Sequence, residues 1–131
     1  MNFQIVPVSD VDRFWPKLAK GFGKVSKRAR NLTLADLYQR ARIGNGHLLI
    51  AFDDEIRGAA ICVPEDWADG PKINVIAFWG DDFRTWRDEF MDAVRTLGKL
   101  CGADTAIFSG PAAYRRLFPT ARVIRQTFEV K

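Results

Sequence analysis

Histidine is almost missing from this sequence: His47 is the only one in 131 residues. A site built from several imidazoles is therefore excluded. Cysteine is scarce as well. Cys62 lies in the apolar run AAICV and Cys101 ends a helical pattern, so the two have the spacing of neither a metal site nor a disulfide framework. They read as buried, reduced thiols. No apolar run approaches the roughly 18 residues that a bilayer crossing requires. The opening MNFQIVPVSD has neither the basic start nor the apolar centre of a secretory signal. These absences predict a cytoplasmic protein with no membrane partner and no metal. Repeats, low-complexity tracts and linkers are also lacking, which predicts a single domain over 1–131.

What the chain does have is core material: 47% of its residues are hydrophobic, including ten Phe and four Trp, so it has no composition for disorder. Its net charge of +4 is unevenly spread. From Arg13 to Arg42 nine Lys and Arg stand against Asp36 alone, whereas from Glu65 to Asp92 eight acids stand against Lys72, Arg84 and Arg87. One end of the domain attracts anions and another repels them.

Periodicity gives an element order. FQIVPV (3–8) reads as a strand, and Ser9 and Asp10 offer caps to a helix bearing Phe14, Trp15, Leu18 and Phe22, with Pro16 expected to kink or restart it. Residues 21–31 (GFGKVSKRARN) read as a turn or loop. Thr33 with Asp36 forms a capping box for a second helix, which Gly44 and Gly46 stop. HLLIAF (47–52) and IRGAAICV (56–63) make a hairpin, and the loop 64–71 leads into KINVIAFW (72–79), apolar on both faces as a central strand is. Phe83, Trp86, Phe90, Val94 and Leu97 then mark a long helix, with Arg84/Asp88 and Asp92/Arg95 as surface ion pairs. A strand at 104–108, a short helix at 111–118 and a closing strand at 121–130 complete an α/β (α+β) order of β-α-α-β-β-β-α-β-α-β.

This order resembles that of the GNAT (GCN5-related N-acetyltransferase) superfamily over nearly the whole chain. The resemblance implies a mixed, mainly antiparallel sheet flanked by helices. It also implies acetyl-CoA as cofactor, lying where the fourth and fifth strands splay apart, and an amine or protein substrate as acyl acceptor. Its pyrophosphate would sit at the N-terminus of the long helix, on glycines usually spelled R/Q-x-x-G-x-G/A. Here that stretch is GDDFRTWRDEF (80–90), with Gly80 alone, Asp81 and Asp82 as expected caps, Trp86 in place of a small residue, and Arg84 and Arg87 as the cations able to hold phosphates.

By the same resemblance, backbone amides near Ala77 and Phe78 polarise the thioester carbonyl. Tyr114, in FSGPAAYRRLFP (108–119), matches a family tyrosine that protonates the departing thiolate, although Ser109 replaces an Asn and Phe118-Pro119 replaces Gly-Phe. For a base, the fourth run offers only Asn74; His47 is an alternative, and Glu65, Asp66 and Asp69 are acids at a substrate entrance beside Trp67. The compact, motif-poor form is similar to GNAT-like proteins encoded by bacteriophages and prophages, which places the protein in the host cytoplasm. Two other readings stand beside catalysis. One is a non-catalytic GNAT-fold module that binds a protein partner. The other is a nucleic-acid-binding accessory using Lys24, Lys27, Arg28 and Arg30, for which the sequence holds no interleaved aromatics and no reader motif.

Overall fold

The computed structural model describes the whole chain, Met1–Lys131. Strand β1 (Asn2–Val6) leads through a short 3-10 turn at Val8–Asp10 into helix α1 (Val11–Arg28), and helix α2 (Leu34–Ile43) follows. Strands β2 (His47–Phe52), β3 (Ile56–Trp67) and β4 (Gly70–Gly80) form a meander. Helix α3 (Phe83–Leu100) then crosses to β5 (Thr105–Phe108), and a one-turn helix α4 (Tyr114–Leu117) is the last regular element.

The strands make one sheet in the order β1-β2-β3-β4-β5. Neighbours are antiparallel except at the end, where Lys72–Val75 of β4 run parallel to Thr105–Phe108 of β5. A parallel pair needs a long crossover, and the 18 residues of α3 supply it. This is the mixed, mainly antiparallel GNAT-like arrangement that the element order predicts.

Strand alternation divides the core between the two faces. Leu49, Cys62, Val75 and Phe78 point to α3 and meet Phe83, Phe90 and Val94. Leu48, Ile50, Ile61 and Ala77 point to the other face, under Leu18 and Phe22 of α1 and Leu37 of α2. Burying one such aliphatic or aromatic side chain contributes about 1.5–3 kcal/mol. The Thr33 hydroxyl accepts from the Asp36 N–H while the Asp36 carboxylate accepts from the Thr33 N–H, so the capping box closes as predicted. Those bonds also hold the Asp36 carboxyl below its usual range. Gly44 takes the left-handed stop, with φ of 79°.

Several expectations are corrected. Residues 21–28 are helix, not loop. Gly21 is a contact point there, since a Cβ at that position would collide with the Trp79 ring, which lies against α1. Nor does Pro16 restart α1; the helix runs through it. The expected loop 64–71 is mostly sheet, because Pro64 to Trp67 pair with Ile73 to Gly70 and the turn shrinks to Ala68 and Asp69. Arg84 forms no pair with Asp88, whose neighbour is instead Arg87 at 3.7 Å, while Asp92 and Arg95 do meet at 3.3 Å.

The closing strand does not form: residues 121–131 have no regular structure, and Val123, Ile124, Phe128 and Val130 are exposed. An apolar alternation becomes a strand only where a partner edge receives its backbone bonds. In this chain the segment is tied by side chains. Arg125 lies 4.9 Å over the Trp67 ring, and Glu129 pairs with Arg30 at 2.8 Å.

Candidate functional site between β4 and β5

β4 and β5 stay paired only through Val75 and Phe108, with one further rung from the Ser109 N–H to the Val75 carbonyl at 3.1 Å. From Ile76 to Gly80, β4 continues along β3 with no strand on its other side. The chain parts there because Gly110 and Pro111 turn β5 away toward α4. At the same level β4 carries a bulge: Ile61 faces Ala77 and Cys62 faces Val75, so Ile76 is the extra residue. Ile76 and Ala77 consequently face α1 together, and Phe78 resumes on the α3 side. Ala77 and Phe78, expected at the reacting end of a thioester, lie on the edge that β5 vacates.

Tyr114 stands over this edge. Its ring is 5.0 Å from that of Phe78, within a cluster that also holds Phe83, Phe108 and Phe118. Burial pushes its phenol up to about 12, partly offset by the positive charge of Arg28 at the end of α1. Tyr114 is thus protonated throughout the neutral range and able to donate. The Tyr38 hydroxyl donates to Asp12, whereas that of Tyr114 forms no hydrogen bond within the chain.

The N-terminus of α3 differs from a glycine-lined anion cradle. Asp82 takes a left-handed conformation, with φ of 52°, and neither Asp81 nor Asp82 caps the helix with its side chain. The expected caps are replaced by bonds that tie the segment to β3 and fold it on itself. Asp81 N–H donates to the Arg57 carbonyl at 2.8 Å, Trp86 Nε1 to the Asp81 carbonyl at 2.9 Å, and Thr85 N–H to the Asp82 carbonyl at 2.9 Å. Trp86 is buried, with a Cβ built on Gly80 only 2.5 Å from its ring. The glycine thus serves the indole. Arg87 is committed to the Leu117 carbonyl at 2.9 Å, joining α3 to α4. Arg84, exposed and without an acid partner, is the cation left free at this end.

On the α1 side of the sheet lies a polar cluster that sequence reading gave only as separate residues. Asn74 is 1% exposed; it donates to Glu65 at 2.8 Å and to Ser109 Oγ at 2.9 Å, and Ser109 Oγ lies 3.1 Å from the Asn74 carbonyl oxygen. Trp67 Nε1 donates to the other Glu65 oxygen at 2.9 Å. A carboxylate is therefore fixed at the place where β5 leaves β4, opposite the face that carries Tyr114. Asp69 is drawn instead into an ion pair with Lys72 at 3.0 Å, which holds its carboxyl below the usual range. His47 belongs elsewhere: it faces Cys62 across β2 and β3, and its Nε2 is 3.5 Å from Cys101 Sγ beneath the end of α3. Cys62 is fully buried and Cys101 half-buried.

Lys27 and Arg30 line an open depression of about 430 Å³ between α1 and α2, away from the β4–β5 opening. No group of His, Cys, Asp and Glu has a metal-binding arrangement, and no helix is long and apolar enough to cross a membrane.

No family model and no curated protein matches the chain. Solved structures do. A ribosomal-protein-alanine N-acetyltransferase from Brucella melitensis biovar Abortus 2308 superposes with a TM-score of 0.72 at 13% identity, covering 100% of this chain and 99% of that one. The chain has the GNAT fold. A predicted acetyltransferase from Clostridium acetobutylicum, solved with acetyl-CoA, gives a TM-score of 0.68 at 10% identity over 99% of this chain and 95% of that one. An aminoglycoside acetyltransferase from an uncultured soil metagenomic sample, in complex with sisomicin, gives 0.66 at 13% identity over 99% and 96%. Identities this low establish a shared scaffold, and chemistry must be argued from this chain's own residues.

Proposed function

We propose that the protein is an N-acyltransferase using acetyl-CoA with a weak grip on its pyrophosphate. The observation that carries this reading is the β4–β5 opening itself: a bulged strand edge at Ile76–Phe78 with Tyr114 on one face and a fixed carboxylate, Glu65, on the other. The residues fit the acyl end of the cofactor and lack the glycine cradle for its phosphates. When bound, acetyl-CoA supplies an acetyl group activated as a thioester.

The chain's residues then have defined tasks. At the Ala77–Phe78 edge the Ala77 N–H faces Ile61 of β3 and the Phe78 N–H faces the opening, where it meets developing negative charge on a carbonyl oxygen. Glu65 accepts a proton from an acceptor amine, which must be neutral to attack. Tyr114, kept protonated by burial, donates to a departing thiolate. Arg84, with Arg87 behind it, is the phosphate-side cation.

A phage-encoded protein of the host cytoplasm is the setting that suits so pared-down a scaffold. One observation favours the rival reading of a non-catalytic module binding a protein partner: Trp86 fills the space over Gly80 at the start of α3. The two readings separate on release of free CoA thiol from acetyl-CoA in the presence of small amines. Slow release that depends on the amine is expected, and none at millimolar acetyl-CoA rejects the transferase.

A further inference from the structure

Two opposite charges that meet at Trp67 have no charged partner in the protein. Glu65 is held by neutral donors only, Trp67 Nε1 and Asn74 Nδ2. Its cross-strand neighbour Lys72 turns to Asp69 instead, at 3.0 Å. Arg125 rests its guanidinium 4.9 Å from the centre of the Trp67 ring and pairs with no acid. The indole separates the two groups: one edge of Trp67 bonds the carboxylate and one face carries the guanidinium. The ring contact and the indole bond together place them within roughly 10 Å of one another.

We propose that Glu65, Trp67 and Arg125 form a subsite for a zwitterionic acceptor, an α-amino acid being the simplest. This rests on the acceptor side of the reading above. An ammonium at Glu65 completes a carboxylate whose two neutral bonds leave lone pairs free, and a carboxylate at Arg125 matches the planar fork of a guanidinium. An amino acid holds its two charges a few ångströms apart. With charge-assisted bonds of about 2.8 Å at each end, that length fits the gap. The Trp67 ring between them gives an apolar floor, and Asn74 and Ser109 fix the carboxylate end before any ligand arrives.

The same charges select against other amines. A polycation meets Arg125 and Lys72, both over the Trp67 ring, and is repelled. A simple monoamine engages Glu65 alone. The subsite therefore discriminates by the acceptor's carboxylate, not by its amine.

The test compares L-alanine with L-alaninamide, which differ in that carboxylate. Acetyl transfer is measured as kcat/KM for each, and binding without acetyl-CoA is followed through the NMR signal of the Trp67 indole N–H. L-Alanine is expected to exceed the amide by about 10-fold or more in both readouts, and Arg125→Gln to bring the ratio near one. Arg95→Gln, on the outer face of α3 where Arg95 pairs with Asp92, should leave the ratio as it was. Equal response to acid and amide in the unaltered protein overturns the subsite. So does a preference that survives Arg125→Gln. If the indole signal responds selectively to L-alanine while no acetyl transfer occurs, the subsite stands and the transferase reading fails.

Discussion

Ser109 donates its backbone N–H to the Val75 carbonyl at 3.1 Å, and that rung is the last between β4 and β5. Everything of functional interest is arranged about it. The Ser109 side chain turns to Asn74 and through it to Glu65, while the chain beyond Ser109 carries Tyr114 back over Phe78. One residue thus couples the end of the sheet to both lips of the opening.

Tyr114→Phe should lower turnover by about 10- to 100-fold, the scale of losing a general acid. The hydroxyl has no protein partner, so thermal stability should change little. Steady-state kinetics and a melting curve on one preparation check both statements. Unchanged turnover removes Tyr114 from the chemistry, and a collapsed melting temperature assigns it to packing.

Glu65→Gln retains the shape of the side chain and removes its capacity to accept a proton. A loss of about 100-fold or more in kcat is expected, with acetyl-CoA affinity unaltered because Glu65 lies on the face of the sheet opposite Tyr114. A weaker affinity for acetyl-CoA, measured by titration, would contradict that placement.

Asn74→Ala leaves the Ser109 hydroxyl without its side-chain partner and removes one of the two donors to the Glu65 carboxylate, Trp67 Nε1 being the other, and should destabilise the domain by about 2–3 kcal/mol. Ser109→Ala removes one hydroxyl and should cost about 1 kcal/mol. Urea unfolding gives both numbers. Equal effects would mean that Asn74 is satisfied by something other than this chain of bonds.

Stability should be flat through neutral pH and fall in alkali. Burial pushes Cys62 from 9.0 up to about 12 and Tyr114 from 10.0 up to about 12, so between those limits the unfolded chain releases protons that the folded chain retains. Stability therefore declines as pH rises through that window. Cys62→Ala should make the decline shallower between about pH 9 and about pH 12, read from urea midpoints across the range. An unchanged slope would show that the thiol is not the group responsible.

Much of the fold is legible in the sequence because its signals are local. The Thr33–Asp36 box, the Gly44 stop and the period of Phe83, Trp86, Phe90 and Val94 each lie within a few residues, and the parallel β4–β5 pair follows from the helix between them. What escapes is what tertiary contact decides. Gly21 reads as a helix breaker until Trp79 is laid against it, and 121–130 reads as a strand although no edge receives it. The site divides in the same way. Tyr114 and the Ala77–Phe78 edge are placed by motif and element order. The bond from Asn74 to Glu65 depends on the β3–β4 register, and that from Asn74 to Ser109 spans 35 positions. Asp81 and Asp82 have the composition of caps, yet the left-handed turn at Asp82 sends the chain elsewhere.

In the reading proposed above, acetyl-CoA enters the β4–β5 opening and is held weakly at its phosphate end. The N-terminus of α3 offers no glycine cradle, Arg87 is engaged by the Leu117 carbonyl, and Arg84 is left to meet the phosphates. Calorimetric titration with acetyl-CoA tests this directly. Saturable binding is expected, with a dissociation constant on the order of 0.1 mM to 1 mM, weakened several-fold further by Arg84→Gln. Binding in the low micromolar range would contradict the weak phosphate grip, and no binding at millimolar ligand would contradict the acyltransferase itself.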